Sequence, residues 1–424
     1  MEYKIERKGN HGYITPIPQS VLAEALNRYM SYEKQGREFM PNPAWGIVKL
    51  YSVKQGKFPW GLRNIVFKIM RKWCEDGAND SYIFDAPFIE YPDFVFSDNL
   101  RYYQREAIEM LLINAGGVLC MPTGSGKTKT IIEYLRIMNK KTCVIVPTLD
   151  IKKQWERQVG HLSFVRVINH QSPLALEIAK ISNIVVFDEC HHVSAKTIYD
   201  IAMKTISNTI LIGCSATPKR EDGEDLKINA ALGEIVYSID RKKLIQEKFL
   251  SDAEVFIYTP AFDTKEDKFL NYSEIYKKHI VENVDRNKYI IENVKMYNAM
   301  GKKILVLVSQ IEHGQYLFDH FEVENKIYCH GSSNNREQDL SKFDVIVASN
   351  IFNEGVDLPS LDVLILASGG KSSIQMTQKI GRVLRPQLGK KAIIVDFNDL
   401  PKHLILHSKR RRAILEEDFE VTSI

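Results

Sequence analysis

The chain has 424 residues, with 57 Lys+Arg against 53 Asp+Glu and 44% apolar content. That length suits two to four domains, and the ordinary balance of apolar and charged residues excludes wholesale disorder or a collagen-like chain. No run approaches the roughly 18–20 uncharged apolar residues of a membrane span, and the opening residues lack the apolar stretch of a secretory signal. A cytoplasmic protein without a membrane partner is expected.

Residues 1–74 carry 13 Lys/Arg and five Asp/Glu, whereas 75–99 carry seven acids and no Lys or Arg. So abrupt a sign change marks a domain boundary near residue 95, and the basic module before it suits a polyanion. Within that module, Ser20 is placed to cap a helix bearing Val21, Leu22, Leu26 and Met30. The run Trp45–Tyr51 reads as a strand, and the turn Phe58-Pro59-Trp60-Gly61-Leu62 precedes a helix through Ile65, Phe67, Ile69 and Trp73. The acidic stretch is too aromatic for a tether and is expected to lie ordered on a neighbour.

From about residue 100, short β-branched runs alternate with helix-length segments. Strands are predicted at 117–121, 142–146, 183–187 and 209–213, then at 303–308, 344–348, 362–367 and 391–396. Runs this apolar predict parallel sheets buried on both faces, and two sets predict two α/β domains in tandem. The expected division is 1–95, 96–258 and 259–424, with 259–300 mostly helical. The six Cys form no CxxC pair, so neither a zinc site nor a disulfide framework is expected.

The run Met121-Pro122-Thr123-Gly124-Ser125-Gly126-Lys127-Thr128 follows a predicted strand and opens a helix. Glycines there let backbone N–H groups turn around phosphate oxygens, and the helix N-terminus favours negative charge. Lys127 is placed for the β- and γ-phosphates of a nucleotide, and the Thr128 hydroxyl for Mg²⁺. Asp188 and Glu189 end another predicted strand, the position where parallel sheets bind ligands. Asp188 would hold Mg²⁺ and Glu189 would polarise the attacking water. Gln104, next to Arg101 and about 20 residues before the loop, can both donate to and accept from an adenine edge. Near the other end, Gln378-Lys379-Ile380-Gly381-Arg382-Val383-Leu384-Arg385 spaces two arginines by three on one helical face. Guanidinium groups so placed can stabilise charge on a transferring phosphoryl group.

This ordered set resembles a superfamily-two helicase or translocase: Gln104, GSGKT, Val146-Pro147-Thr148, Asp188-Glu189-Cys190-His191, Ser215-Ala216-Thr217, Ser349 through Asp357, and Gln378 through Arg385. The resemblance implies two tandem RecA-like parallel-sheet domains, with ATP in the cleft and nucleic acid across their top. It further implies that Thr148, Gln171 and Ser349 touch the nucleic-acid backbone, and that Gly355 and Asp357 approach the nucleotide. Ser215, Ala216, Thr217 and Arg220 would couple hydrolysis to strand separation. Arg220-Glu221-Asp222 is similar to an element of XPB-like DNA helicases, and the N-terminal module is similar to the duplex-binding domain of phage UvsW-like helicases. A monomeric DNA helicase acting on branched or forked DNA is therefore expected. An RNA helicase on the same core, or a nucleotide-gated clamp that does not unwind, stays open as an alternative. The basic run Lys409–Arg412 reads either as a phosphate contact or as a solvated helix face.

Overall fold

The computed structural model describes residues 1–35, 37–76, 80–85, 92–206, 208–216, 224–265, 267–330, 339–349, 361–369 and 391–424. It divides into two compact units. One spans Met1–Met121 and Gly126–Ile239; the other spans Asp240–Ile424 with the short stretch Pro122–Ser125.

The first unit begins with β1 (Glu2–Lys8) and β2 (His11–Thr15), an antiparallel pair that sequence patterning did not reveal. β3 (Ser31–Glu33) and β4 (Ile47–Lys49) form a separate ribbon. β5 (Lys57–Pro59) and β6 (Ser81–Asp85) complete a four-stranded sheet in the order β5-β2-β1-β6. The predicted strand at 45–51 is shortened because Asn42 caps a 3₁₀ turn over Pro43–Gly46, leaving only β4 extended. Helices Ser20–Tyr29 and Arg63–Glu75 form where their apolar spacing predicts.

This module shares its core with the α/β domain that follows. Tyr3, Phe58, Trp60 and Leu62 cluster with Ala230, and Tyr199 and Leu226 pack on the same cluster. Gly61 shows how close the approach is: a β-carbon there would sit 2.0 Å from the Asn229 carbonyl oxygen. Arg7 and Arg63 serve this seam. Arg7 Nη2 donates to the Thr209 carbonyl at 3.0 Å, and Arg63 Nη2 donates to the Asn114 carbonyl, at the C-terminus of a helix, at 3.2 Å. The connector also lies on its neighbour. The Ser97 N–H and hydroxyl both donate to Glu133, and Arg136 donates to the Val95 carbonyl.

The α/β domain carries β7 (Gly117–Cys120), β8 (Thr142–Val146), β9 (Val165–Asn169), β10 (Ile184–Asp188), β11 (Ile210–Ser215) and β12 (Ile235–Ser238). Among the described residues they form a parallel sheet in the order β12-β7-β11-β10-β8-β9. Each strand predicted here appears. The edge strands β9 and β12 were not predicted, because partial exposure dilutes their apolar run.

The second unit holds β13 (Ala253–Tyr258), β14 (Ile304–Val308), β15 (Lys326–Cys329), β16 (Val345–Ser349), β17 (Val363–Ile365), β18 (Ala392–Phe397) and β19 (Glu420–Ser423). Among the described residues they make a second parallel sheet, β15-β16-β14-β17-β18-β13-β19. β13 pairs with β18 from Ala253 to Tyr258, so the second sheet takes in residues before the 259 boundary drawn from sequence. The segment after it forms helices Tyr272–Tyr276 and Val284–Ala299. Both units therefore carry the RecA-like parallel sheet.

A buried charge network closes the strand exits of the second unit. Arg411 Nε donates to both Asp396 oxygens, Nη1 to the Gly369 carbonyl, and Nη2 to Asp399 and the Phe397 carbonyl. Arg286 donates to Asp399 and the Ala367 carbonyl. Arg411 is only 4% exposed, so within the basic run it cannot be a phosphate contact. Lys409 and Arg410 are exposed. No helix among the described residues is long and apolar enough to cross a membrane.

Candidate functional site

In a parallel sheet the C-terminal strand ends share one edge. Because β7, β11, β10 and β8 are consecutive neighbours, that edge gathers the phosphate loop, Ser215, Asp188-Glu189 and Thr148 from distant parts of the chain.

The loop has the backbone its glycines permit: Gly124 and Gly126 adopt φ of +88° and +90°. Helix Lys127–Met138 starts directly behind it, and the Thr130 hydroxyl donates to the Gly126 carbonyl at 3.1 Å. Lys127 Nζ donates to the Met121 carbonyl at 3.1 Å, a contact that a phosphate can replace. Ser125 is buried, and the Thr123 hydroxyl has no hydrogen-bond partner among the described residues. Gln104 is buried against the loop. Its Oε1 accepts the Arg101 N–H at 3.0 Å, and its Nε2 donates to the Gly126 carbonyl at 3.4 Å. A β-carbon on Gly126 would meet that Nε2 at 2.4 Å, but the amide ends a flexible side chain, so it is the φ of +90° that calls for glycine there.

Asp188 is held from three directions. Its Oδ1 accepts the Glu189 N–H at 3.0 Å and the Cys214 thiol at 3.3 Å, and its Oδ2 accepts the Trp155 indole N–H at 2.7 Å. Burial pushes the Cys214 and Cys190 thiols well above their usual range, with the nearby carboxylates adding to the effect, so both stay protonated and Cys214 remains a donor. Glu189 sits in the left-handed region at φ +48°, costing roughly 1–2 kcal/mol for a side chain with a β-carbon. Its Oε2 lies 3.5 Å from His191 Nδ1, which is 3.2 Å from the Ser215 hydroxyl. Glu189 Oε2 and the Ser215 hydroxyl therefore both lie close to one ring nitrogen, His191 Nδ1.

The residues assigned to the nucleic-acid backbone are placed by neighbouring strands. Thr148 caps helix Leu149–Val159, its hydroxyl oxygen accepting the Ile151 N–H at 3.3 Å. Asn169 ties this turn to Gln171. Its Nδ2 donates to the Pro147 carbonyl at 2.9 Å, and its Oδ1 accepts the Gln171 N–H at 2.9 Å. Gln171 is exposed; Ser349, at the end of β16, is buried, and its hydroxyl has no partner among the described residues. Ala216 follows β11 and accepts a weak thiol contact from Cys120. Thr217, Arg220, Gly355, Asp357, Gln378, Arg382 and Arg385 lie outside the described residues.

Sequence reading missed Trp155, Cys214 and Asn169. Trp155 looks like an ordinary core residue of an amphipathic helix, and nothing local marks its indole as the partner of a carboxylate 33 residues away. Asn169 ends an unpredicted strand.

The donor set fits a magnesium nucleotide. A phosphate cradle with a lysine, a hydroxyl in the first helical turn, and one oriented carboxylate supply what Mg²⁺ ordinarily takes from protein, namely one or two carboxylates beside substrate phosphates. Residues 97–170 and 168–220 match the family model described as type III restriction enzyme, res subunit, and residues 285–387 match the helicase conserved C-terminal domain. The DNA 3'-5' translocase XPB2 of Sulfurisphaera tokodaii is 25% identical over 85% of this chain and 93% of its own. The ATP-dependent DNA helicase uvsW of Enterobacteria phage T4 is 23% identical over 87% of this chain and 84% of its own. Among solved structures, S. cerevisiae Dbp5 bound to RNA and ADP BeF3 shares the fold, with a TM-score of 0.54 and 14% identity over 76% of this chain and 89% of that one. With its phosphate loop, oriented acidic pair and tandem parallel sheets, the chain belongs to the superfamily-two helicases of the XPB-like and UvsW-like kind, ATP hydrolases that drive strand separation.

Proposed function

We propose that this chain is an ATP-dependent DNA helicase or translocase that unwinds or branch-migrates forks, junctions and D- or R-loops, working as a monomer in the cytoplasm. The observation that carries this reading is the shared sheet edge. The nucleotide loop and Asp188-Glu189 leave the same row of strand ends as the Thr148 turn, which Asn169 ties to Gln171, so a change at the phosphates is delivered next to a surface suited to a backbone. The two relatives above are named for DNA, which favours DNA over RNA.

In this reading Lys127 leaves the Met121 carbonyl for the phosphates while the 123–126 backbone wraps them. Thr128 and Asp188 would hold Mg²⁺, which would supply neutralisation of phosphate charge there. Glu189 orients the attacking water, and its link through His191 to Ser215 carries the change in its surroundings into the Ser215-Ala216-Thr217 segment and Arg220. Arg101 and Gln104 receive the base; the 3.4 Å Gln104–Gly126 contact is long enough to yield at little cost. Gln378, Arg382 and Arg385 supply the opposing wall at the γ-phosphate, with Gly355 and Asp357 beside them. Ser349, only 3% exposed at the end of β16, is not assigned a strand contact here, by the same burial that excludes Arg411.

The N-terminal module holds duplex near the branch. Arg7 and Arg63 are committed to the seam, so the duplex face is assigned to exposed cations such as Lys49, Lys54, Lys68 and Lys72, with exposed Trp45 beside them in sequence. The test is ATP-dependent processing of synthetic forks, four-way junctions and R-loops, with a matched RNA duplex as control. Branched DNA should be processed and the RNA duplex left intact. Equal action on RNA, or binding without strand displacement, would overturn this reading.

A further inference from the structure

Trp155 is 2% exposed on helix Leu149–Val159, and a phenylalanine would fill most of the same apolar space. What phenylalanine lacks is the N–H, and that N–H is spent on Asp188 Oδ2 at 2.7 Å. Of the three donors on this carboxylate among the described residues, two belong to the strands β10 and β11 and their exits: the Glu189 N–H and the Cys214 thiol. Trp155 alone reaches it from a helix, the one whose first turn is closed by the Thr148 hydroxyl. With its oxygen accepting from Ile151, Thr148 keeps its hydroxyl proton to donate, as a phosphate oxygen would require. One rigid element of about three turns therefore has a strand-contact candidate at its N-terminus and a metal-site donor on its buried face.

We propose that Trp155 is a positioning residue, whose indole N–H sets the Asp188 carboxylate for Mg²⁺ and whose helix relays engagement of a nucleic-acid strand at Thr148 to that metal. The relay rests on the motor reading above. The physical basis is that a carboxylate offers about four lone-pair sites. Three fixed donors here choose which remain for the metal and its waters, so a small shift of the helix re-aims the carboxylate. Partners of this outer kind, when removed, typically cost ten- to a hundredfold in metal affinity.

The test compares wild type with Trp155→Phe. Binding of a slowly hydrolysed ATP analogue is followed as Mg²⁺ is titrated, and the half-saturating Mg²⁺ concentration should rise roughly tenfold. The melting temperature without nucleotide should move by no more than a few degrees. Stimulation of hydrolysis by single-stranded DNA should fall several-fold, since the relay is cut. A second measurement needs no folded variant. In wild-type protein carrying ¹⁵N-labelled tryptophan, one of four indole N–H resonances should shift as Mg²⁺ enters the analogue complex, and shift again with DNA. An unchanged Mg²⁺ midpoint and undiminished DNA stimulation in Trp155→Phe would overturn the proposal while leaving the motor reading intact. So would indole resonances that ignore Mg²⁺. A wild-type chain whose hydrolysis ignores DNA would instead sink the motor reading, and the relay with it.

Discussion

Replacing Arg411 by methionine keeps most of the side-chain volume and removes five hydrogen bonds among the described residues, three of them to carboxylate oxygens. Asp399 retains Arg286 at 3.1 Å, so among the described residues Asp396, 1% exposed, is the carboxylate left without a cation. Breaking one side of a buried ion pair costs about 3–5 kcal/mol. For a unit of this size that is roughly 6–20 °C in melting temperature, at about 2–4 °C per kcal/mol. The pH dependence supplies a sharper test. Burial already raises the Asp396 carboxyl above its usual range, against the pull of Arg411. A carboxyl raised on folding contributes stability that is present below its unfolded pKa and lost as pH rises through the folded value. Removing Arg411 raises it further, so the variant's deficit should be largest near pH 8 and shrink toward pH 5. Thermal melts of the full chain across that range are the assay, with exposed Arg410→Met as control. A deficit under about 1 kcal/mol, or one that grows toward acid, would refute the claim that Arg411 serves the fold rather than a phosphate.

Lys127→Ala should abolish ATP turnover while leaving junction binding within a few-fold of wild type, read by steady-state hydrolysis and by a gel-shift titration. Gly61→Ala should destabilise by about 1–3 kcal/mol, because its β-carbon would meet three backbone atoms at 2.0–2.8 Å that cannot swing aside; urea denaturation measures it. Lys49→Glu combined with Lys54→Glu should weaken binding to junctions and flatten its salt dependence, with hydrolysis on single strands nearly unchanged. These charge reversals are a cleaner probe than deleting residues 1–95. The N-terminal module shares Ala230, Tyr199 and Leu226 with the domain behind it, and truncation would bare that cluster.

The strands that sequence patterning located were those buried on both faces, such as β8 and β16, where every residue is apolar or small and none is exposed. Those it missed are edge strands such as β9, β12 and β19, or the alternating β13, whose inward residues are interrupted by half-exposed ones. The same limit applied at the site. The phosphate loop is contiguous and carries its chemistry in its own backbone, so it was legible at once. The partners of Asp188 and Asn169 lie on other elements and were not.

Local physics is written along the chain: glycines that free a loop to turn, an apolar run that must be buried on both sides, an acidic pair at its end. These specified the parallel-sheet class and marked out a phosphate-binding loop with an acidic pair on the same sheet edge. Strand order and register are different, since they arise from how separate runs pack. That packing alone aimed the Trp155 indole at Asp188, locked the Thr148 turn through Asn169, and drew Arg411 out of a basic run into a pair of carboxylates. A side chain's role is set by whichever partner folding brings within about 3 Å, and no spacing along the sequence names that partner.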